Sequence, residues 1–149
     1  MRSLRLGRLF DAVFIHDAVM YLTTEAELRA AMETAFLHLE PGGIALFVPD
    51  HTRESFGETT SHGGHDGPDR GLRYLEWVCD PDPLDTAYTV DFAFLLRAPD
   101  GRVRVLQDRH VLGLFPRRDW LRFLREAGFA ARSVPDEYGR DIFIGVRPA

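Results

Sequence analysis

In FDAVFIHDAVMYL, Phe10–Leu22, the apolar run Val13-Phe14-Ile15 stops abruptly at His16-Asp17. A short continuous apolar run predicts a parallel strand covered on both faces, with the two ionisable residues at its carboxyl end. Open α/β sheets bind ligands at the carboxyl ends of their strands. His16 and Asp17 are therefore candidate site residues by position alone.

The residues that follow predict a strand–helix–strand unit. Thr24-Glu25-Ala26-Glu27 has the capping-box form, a hydroxyl and a carboxylate three residues apart that satisfy the first free N–H groups of a helix. Leu28, Ala31, Met32, Ala35, Phe36 and Leu39 recur at helical spacing, and Pro41-Gly42-Gly43 ends the element. Ile44-Ala45-Leu46-Phe47-Val48 then reads as a second buried strand that ends in Pro49-Asp50-His51. Such a crossover joins parallel neighbours with a right-handed connection.

These residues carry a resemblance. FDAVFIHDAVMYL, a helix and LEPGGIALFVPD resemble the stretch from the fourth to the fifth strand of class I S-adenosylmethionine-dependent methyltransferases. HVLGLFPRRDWLRFLREAGFAARSV followed by GRDIFIGVRP is similar to the final helix and strand hairpin of that family, most of all in the small-molecule branch that contains amino-sugar N-methyltransferases. The weight rests on order and spacing, because FDxV and LxPGG are common. The resemblance implies a partial Rossmann-like α/β sheet, S-adenosyl-L-methionine as methyl donor and a small-molecule acceptor. No Gly-x-Gly pattern opens a helix, and Gly63-Gly64 falls in a polar stretch. The family's glycine-rich loop and the acidic residue that holds the ribose are expected upstream of Met1, so the chain is expected to be the C-terminal part of such a protein. Two origins stay open, a misplaced start or fragment and a natural truncated paralogue.

Composition narrows the classes. A chain of 149 residues suffices for one domain with a real core, and a formal charge of −5 argues against a nucleic-acid surface. All 18 basic residues are arginines, which excludes lysine nucleophiles and Schiff bases. The single cysteine, Cys79, allows no intramolecular disulfide and reads as a small apolar strand residue, in keeping with the cytoplasm. Neither a signal peptide nor a run of transmembrane length is found, so no membrane partner is expected.

The expected organisation is one domain: residues 1–9 a linker, 10–50 strand–helix–strand, 51–70 a loop or lid, 71–115 an inserted sheet, and 116–149 a helix with a terminal strand hairpin. In the polar stretch, His62, His65, Asp66 and His51 invite a metal reading, but the spacing fits no zinc signature and no metal is expected. Arg53, Glu54 and Phe56 fall where the family places a segment over the substrate, so Arg53 and Phe56 are candidate lid residues. Leu72–Cys79, Tyr88–Arg97 and Val103–Leu114 predict a three-stranded antiparallel insertion. Val90, Phe92, Phe94 and Leu96 give it one apolar face, which serves as core, covers a substrate or pairs with a second subunit.

The candidate chemistry is in-line methyl displacement, which needs alignment of donor and acceptor and, for an ammonium acceptor, a group that takes its proton. His16 is the base candidate. Asp17 either holds the substrate amine or orients the imidazole, and Tyr21 either lines the cavity or stabilises a cation through its ring face. His16, Asp17, Ala18 and Tyr21 together form the candidate donor-binding segment. Under the family's sheet order the strand at Val13 lacks one neighbour, and an apolar edge is a liability. A homo-oligomer, or a partner supplying the N-terminal half, is therefore expected. Catalysis within a larger protein and a non-catalytic methyltransferase-like binding or dimerisation module remain as alternatives. An unrelated hydrolase has no Gly-x-Ser-x-Gly elbow in its favour.

Overall fold

The computed structural model describes all residues, Met1–Ala149, in two compact units, one of 1–56 with 113–149 and one of 57–112. The first unit is built on a four-stranded sheet of order β1-β2-β8-β7, with β1 (Phe10–His16), β2 (Leu39–Val48), β7 (Ala130–Pro135) and β8 (Asp141–Val146). β1 and β2 are parallel, while β8 is antiparallel to both β2 and β7. Helix α1 (Glu25–Leu37) makes the crossover between β1 and β2.

Thr24 caps α1 as its residue types require. Its side chain accepts the Glu27 N–H, and the Glu27 carboxylate accepts the N–H groups of Thr23 and Thr24. Leu28, Ala31, Met32 and Ala35 form the buried stripe. Replacing Thr24 by alanine is expected to cost about 1 kcal/mol, read as a lower urea midpoint with an unchanged slope.

Two expectations fail in this unit. The helix ends at Leu37 rather than continuing through Leu39, because His38 closes it and its Nδ1 lies 2.7 Å from the Thr34 carbonyl. Leu39 already pairs with Phe10, and the register resumes at Ala12 with Ile44, so Glu40–Gly43 form a bulge within β2. Gly42 takes φ +84°, and a Cβ on Gly43 would stand 2.9 Å from the Glu40 carbonyl oxygen. The second failure is β1, which is not covered on both faces. Phe14 is 65% exposed, while the position of β1 at the sheet edge, with β2 as its one neighbour, is the one that the family's sheet order implies.

The core of this unit is aromatic. Trp120 stacks on Phe143 with ring centroids 4.8 Å apart, and Phe47 and Phe115 meet the indole at 6.4 and 6.3 Å. Trp120 and Phe123 come from α2 (Arg117–Glu126), whose first N–H is capped by the Glu54 carboxylate at 2.8 Å. The residues 1–9, expected as a linker, lie against α1: the Leu6 N–H donates to His38 Nε2, and Thr34 Oγ1 donates to the Arg2 carbonyl.

The second unit is an antiparallel sheet of four strands rather than three, of order β3-β4-β5-β6. Its strands are β3 (Thr59–Asp66), β4 (Gly71–Cys79), β5 (Ala87–Arg97) and β6 (Val103–Gly113), the last of which ends in the first unit. The expected loop over 51–70 therefore contains β3, paired with β4 along its whole length. As an exposed edge strand, β3 buries neither face and shows no apolar alternation. Gly63 and Gly64 belong to this strand: a Cβ on Gly63 would meet the Tyr74 hydroxyl at 2.7 Å. Phe92 and Phe94 stack on one face, whereas Leu75 and Trp77 alternate on β4 with half or more of their surface exposed.

Candidate functional site

The candidate site is built where β1 and β2 end side by side, His16 standing opposite Val48 in the ladder. His16 closes β1, and its ring stacks on Phe14 with centroids 5.9 Å apart. Its Nδ1 lies 3.0 Å from Asp17 Oδ1. Asp17 has φ +45° and is the only non-glycine residue with positive φ. A short acidic side chain tolerates such a conformation better than a branched one, and backbone strain of this kind is found preferentially at ligand sites. The strained turn leads into the 3₁₀ turn Ala18–Tyr21, in which Val19 and Met20 are buried and Tyr21 is 56% exposed. The four expected residues His16, Asp17, Ala18 and Tyr21 thus lie on one short turn.

Asp50 and His51, directly after β2, complete the cluster. The Asp50 N–H lies 3.3 Å from the Met20 sulfur, which ties the end of β2 to the turn after β1. Burial, reinforced by the charge of Asp17, pushes the Asp50 carboxyl above its ordinary range. Burial pushes the His51 imidazole below its ordinary value, against the opposing pull of Asp50. Arg140, in the turn between β7 and β8, holds Asp136 at 2.7 Å and reaches to 4.0 Å from Asp50. Strand-end ionisable pairs after both apolar runs signal Asp50 and His51 as clearly as His16 and Asp17. Arg140 carries no comparable signal in its sequence neighbourhood.

Arg53 and Phe56 lie on a turn that is pinned in place. The Arg53 N–H donates to the Phe115 carbonyl, and the Phe56 N–H to the Thr52 carbonyl. Thr52 is buried and donates to Asp141, which also receives Arg117 Nε at 2.7 Å. Phe56 meets the His51 ring edge-on at 5.7 Å. The residues weighed as metal ligands are arranged differently: His62 and His65 sit at odd spacing on β3 and so face opposite sides, and Asp66 is held by Arg73 at 2.6 Å. Cys79 Sγ lies 3.1 Å from Thr89 Oγ1 on β5.

The His51 shift has a measurable consequence. A depressed folded-state value means that the unfolded chain binds the proton more tightly. The stabilising contribution is thus fully present above the ordinary value of 6.5 and is lost as pH falls through the lowered one. Urea midpoints should decline over that interval, and His51→Asn should flatten the decline.

No family model matches the chain. A curated relative, the dTDP-3-amino-3,4,6-trideoxy-α-D-glucopyranose N,N-dimethyltransferase of Streptomyces venezuelae, is 33% identical over 98% of this chain and 62% of its own length. Among solved structures, the sugar N-methyltransferase KedS8 of a Streptoalloteichus species superposes with a TM-score of 0.89 at 27% identity, over 99% of this chain and 60% of that one. The S-adenosylmethionine-bound amino pentose methyltransferase CalS10 of Micromonospora echinaspora gives 0.86 at 26% identity, over 98% and 61%. The chain spans about three fifths of the length of the relatives it matches. It has the class I S-adenosylmethionine-dependent methyltransferase fold, and its likeness is to the amino-sugar branch of that fold.

Proposed function

We propose that this chain supplies the acceptor side of a methyltransferase that moves a methyl group from S-adenosylmethionine to the amine of a small molecule, an amino sugar being the class that its relatives suggest. The observation that carries this reading is the His16–Asp17 pair at the end of β1, held on a strained turn beside Asp50 and His51. S-adenosylmethionine, when bound, supplies an electrophilic methyl on a cationic sulfonium. Asp17 and Asp50 fit a cationic group, because a positive charge beside them offsets the burial and the Asp17 repulsion that together raise Asp50. Tyr21 offers an exposed ring face to the same charge.

An ammonium must lose its proton before its nitrogen can attack. With Nδ1 of His16 directed at the Asp17 carboxylate, Nε2 carries the free lone pair and takes that proton. Phe56 and Arg53, anchored with their turn, act as a fixed wall in this reading rather than as a swinging lid. Donor binding is completed by a glycine-rich strand–helix unit that docks on the open edge of β1, from a partner polypeptide or from sequence beyond these residues. A cytoplasmic setting belongs to the same reading and is supported by the free thiol of Cys79; no helix is long and apolar enough to cross a membrane.

A second reading, a non-catalytic methyltransferase-like binding or dimerisation module, draws support from the β4–β6 face that exposes Leu75, Trp77, Val103 and Val105. Its charges are internally compensated, as in the Asp91–Arg109 pair, so a second copy can lie on it without net repulsion. Calorimetry and a labelled-methyl assay separate the two. The chain is paired with the polypeptide that carries the glycine-rich unit, then given S-adenosylmethionine and an amino-sugar acceptor. Donor binding with label transfer is expected; a stable assembly that neither binds donor nor transfers label supports the second reading.

A further inference from the structure

The turn between β7 and β8 fixes one guanidinium in place beside the two strand ends. Asp136 Oδ1 accepts the N–H groups of Tyr138 and Arg140, each at 2.8 Å, and Asp136 Oδ2 receives Arg140 Nε at 2.7 Å. The Asp136 N–H donates to the Arg140 carbonyl, and Gly139 takes φ +80°, which lets the turn close within five residues. Arg140 is thus tied to one carboxylate through its backbone and through Nε. Its Nη1 reaches across to 4.0 Å from Asp50 Oδ1 at the end of β2. That distance is beyond a hydrogen bond, so Arg140 acts on Asp50 through charge while its directed bonds go to Asp136. Four groups face Asp50: Asp17 and His16 at the end of β1, His51 beside it, and Arg140. Burial and Asp17 oppose the charge of Asp50, and the two imidazoles assist it only while protonated. Arg140 is the one of the four that is positive at every working pH, and the same guanidinium lies in the field of both Asp50 and Asp17.

We propose that Arg140 is a positioning residue that acts through Asp50, holding that carboxylate ionised beside Asp17 so that the two strand ends present a pair of negative charges to a cationic reactant. Anchoring by Asp136 keeps the guanidinium from swinging onto Asp50 and neutralising it by a direct bidentate bond. Without Arg140, the half-buried Asp50 takes up a proton more readily and its attraction for a cation falls. The coupling of Arg140 to Asp50 stands on the geometry of the turn; its use for a cationic reactant rests on the methyl-transfer reading.

The test follows the side-chain carboxyl carbons of the ¹³C-labelled full chain against pH by NMR. In Arg140→Gln the Asp50 midpoint is expected to move to higher pH, together with that of Asp136, which loses the same partner. Arg140→Lys, which restores the charge without the fork, is expected to return the Asp50 midpoint most of the way. Both variants keep the backbone donors to Asp136, so the turn still closes, and backbone amide spectra check that the rest of the fold is unchanged. A purely structural role moves Asp136 and leaves Asp50 where it was. That result, or a lysine variant that titrates like the glutamine one, would overturn the proposal. In the donor-competent assembly, the rise in KM for an amine acceptor as pH falls is expected to shift to higher pH in Arg140→Gln and to return in Arg140→Lys. An Asp50 midpoint that moves while the KM profile stays fixed supports the coupling and counts against the methyl-transfer reading, which separates the two failures.

Discussion

Replacing His16 by glutamine is expected to lower methyl transfer by the donor-competent assembly about 100-fold or more, with donor affinity unchanged, because general-base catalysis typically contributes at least that factor. Glutamine keeps a polar group of similar reach at the end of β1 but cannot accept the amine's proton. Asp17 lies 3.0 Å from Nδ1 and Phe14 stacks on the imidazole, so Nε2 is the ring nitrogen left for the amine's proton. Initial rates at saturating donor and acceptor, with calorimetry of donor binding, separate the chemical step from affinity. A His16→Gln rate within about threefold of wild type would reduce the pair to a local structural contact.

Phe143→Ala is expected to destabilise the first unit by about 3–5 kcal/mol. Phe143 is fully buried on β8, stands opposite Phe47 of β2 and Ser133 of β7, and stacks on Trp120. Truncation forfeits the transfer free energy of the ring and leaves a cavity that two strands and a helix cannot close together. Urea denaturation followed by far-ultraviolet circular dichroism measures the loss. A change below about 1 kcal/mol would mean that this aromatic cluster is not the centre of the core.

Much of the frame is legible in local patterns. The Thr24–Glu27 box predicts the start of α1 because its hydrogen bonds are closed within four residues. Val13-Phe14-Ile15 and Ile44–Val48 announce strands by composition, and the break at His16-Asp17 marks where ligands meet such a sheet. The same patterns cannot report surroundings. A short apolar run reads alike at the centre and at the edge of a sheet, so nothing local foretells the exposure of Phe14. Pro41-Gly42-Gly43 usually reads as a turn, and only the ladder from Phe10 to Leu39 reveals a bulge inside β2. β3 is hidden because an edge strand made of Thr, Ser, His and Gly has no buried face to give it a period.

The candidate site is legible to a similar depth. Its chemistry-bearing residues after β1 follow from position, whereas the coupling of Asp17, Asp50 and Arg140 arises from three segments far apart in the chain. Arg53 and Phe56 read in sequence as candidate lid residues but not as residues of a pinned turn, since Thr52, Glu54, Arg117 and Asp141 meet only in the folded unit.

Whether the ends of β1 and β2 hold the reacting groups is tested by chemical-shift mapping of the ¹⁵N-labelled chain in its donor-competent assembly, titrated with S-adenosylhomocysteine and then with an amino-sugar acceptor. Saturable shifts are expected at His16–Tyr21 and at Asp50 and His51, with the acceptor adding to those of the donor product. Saturable binding that leaves both strand ends unperturbed would contradict that placement.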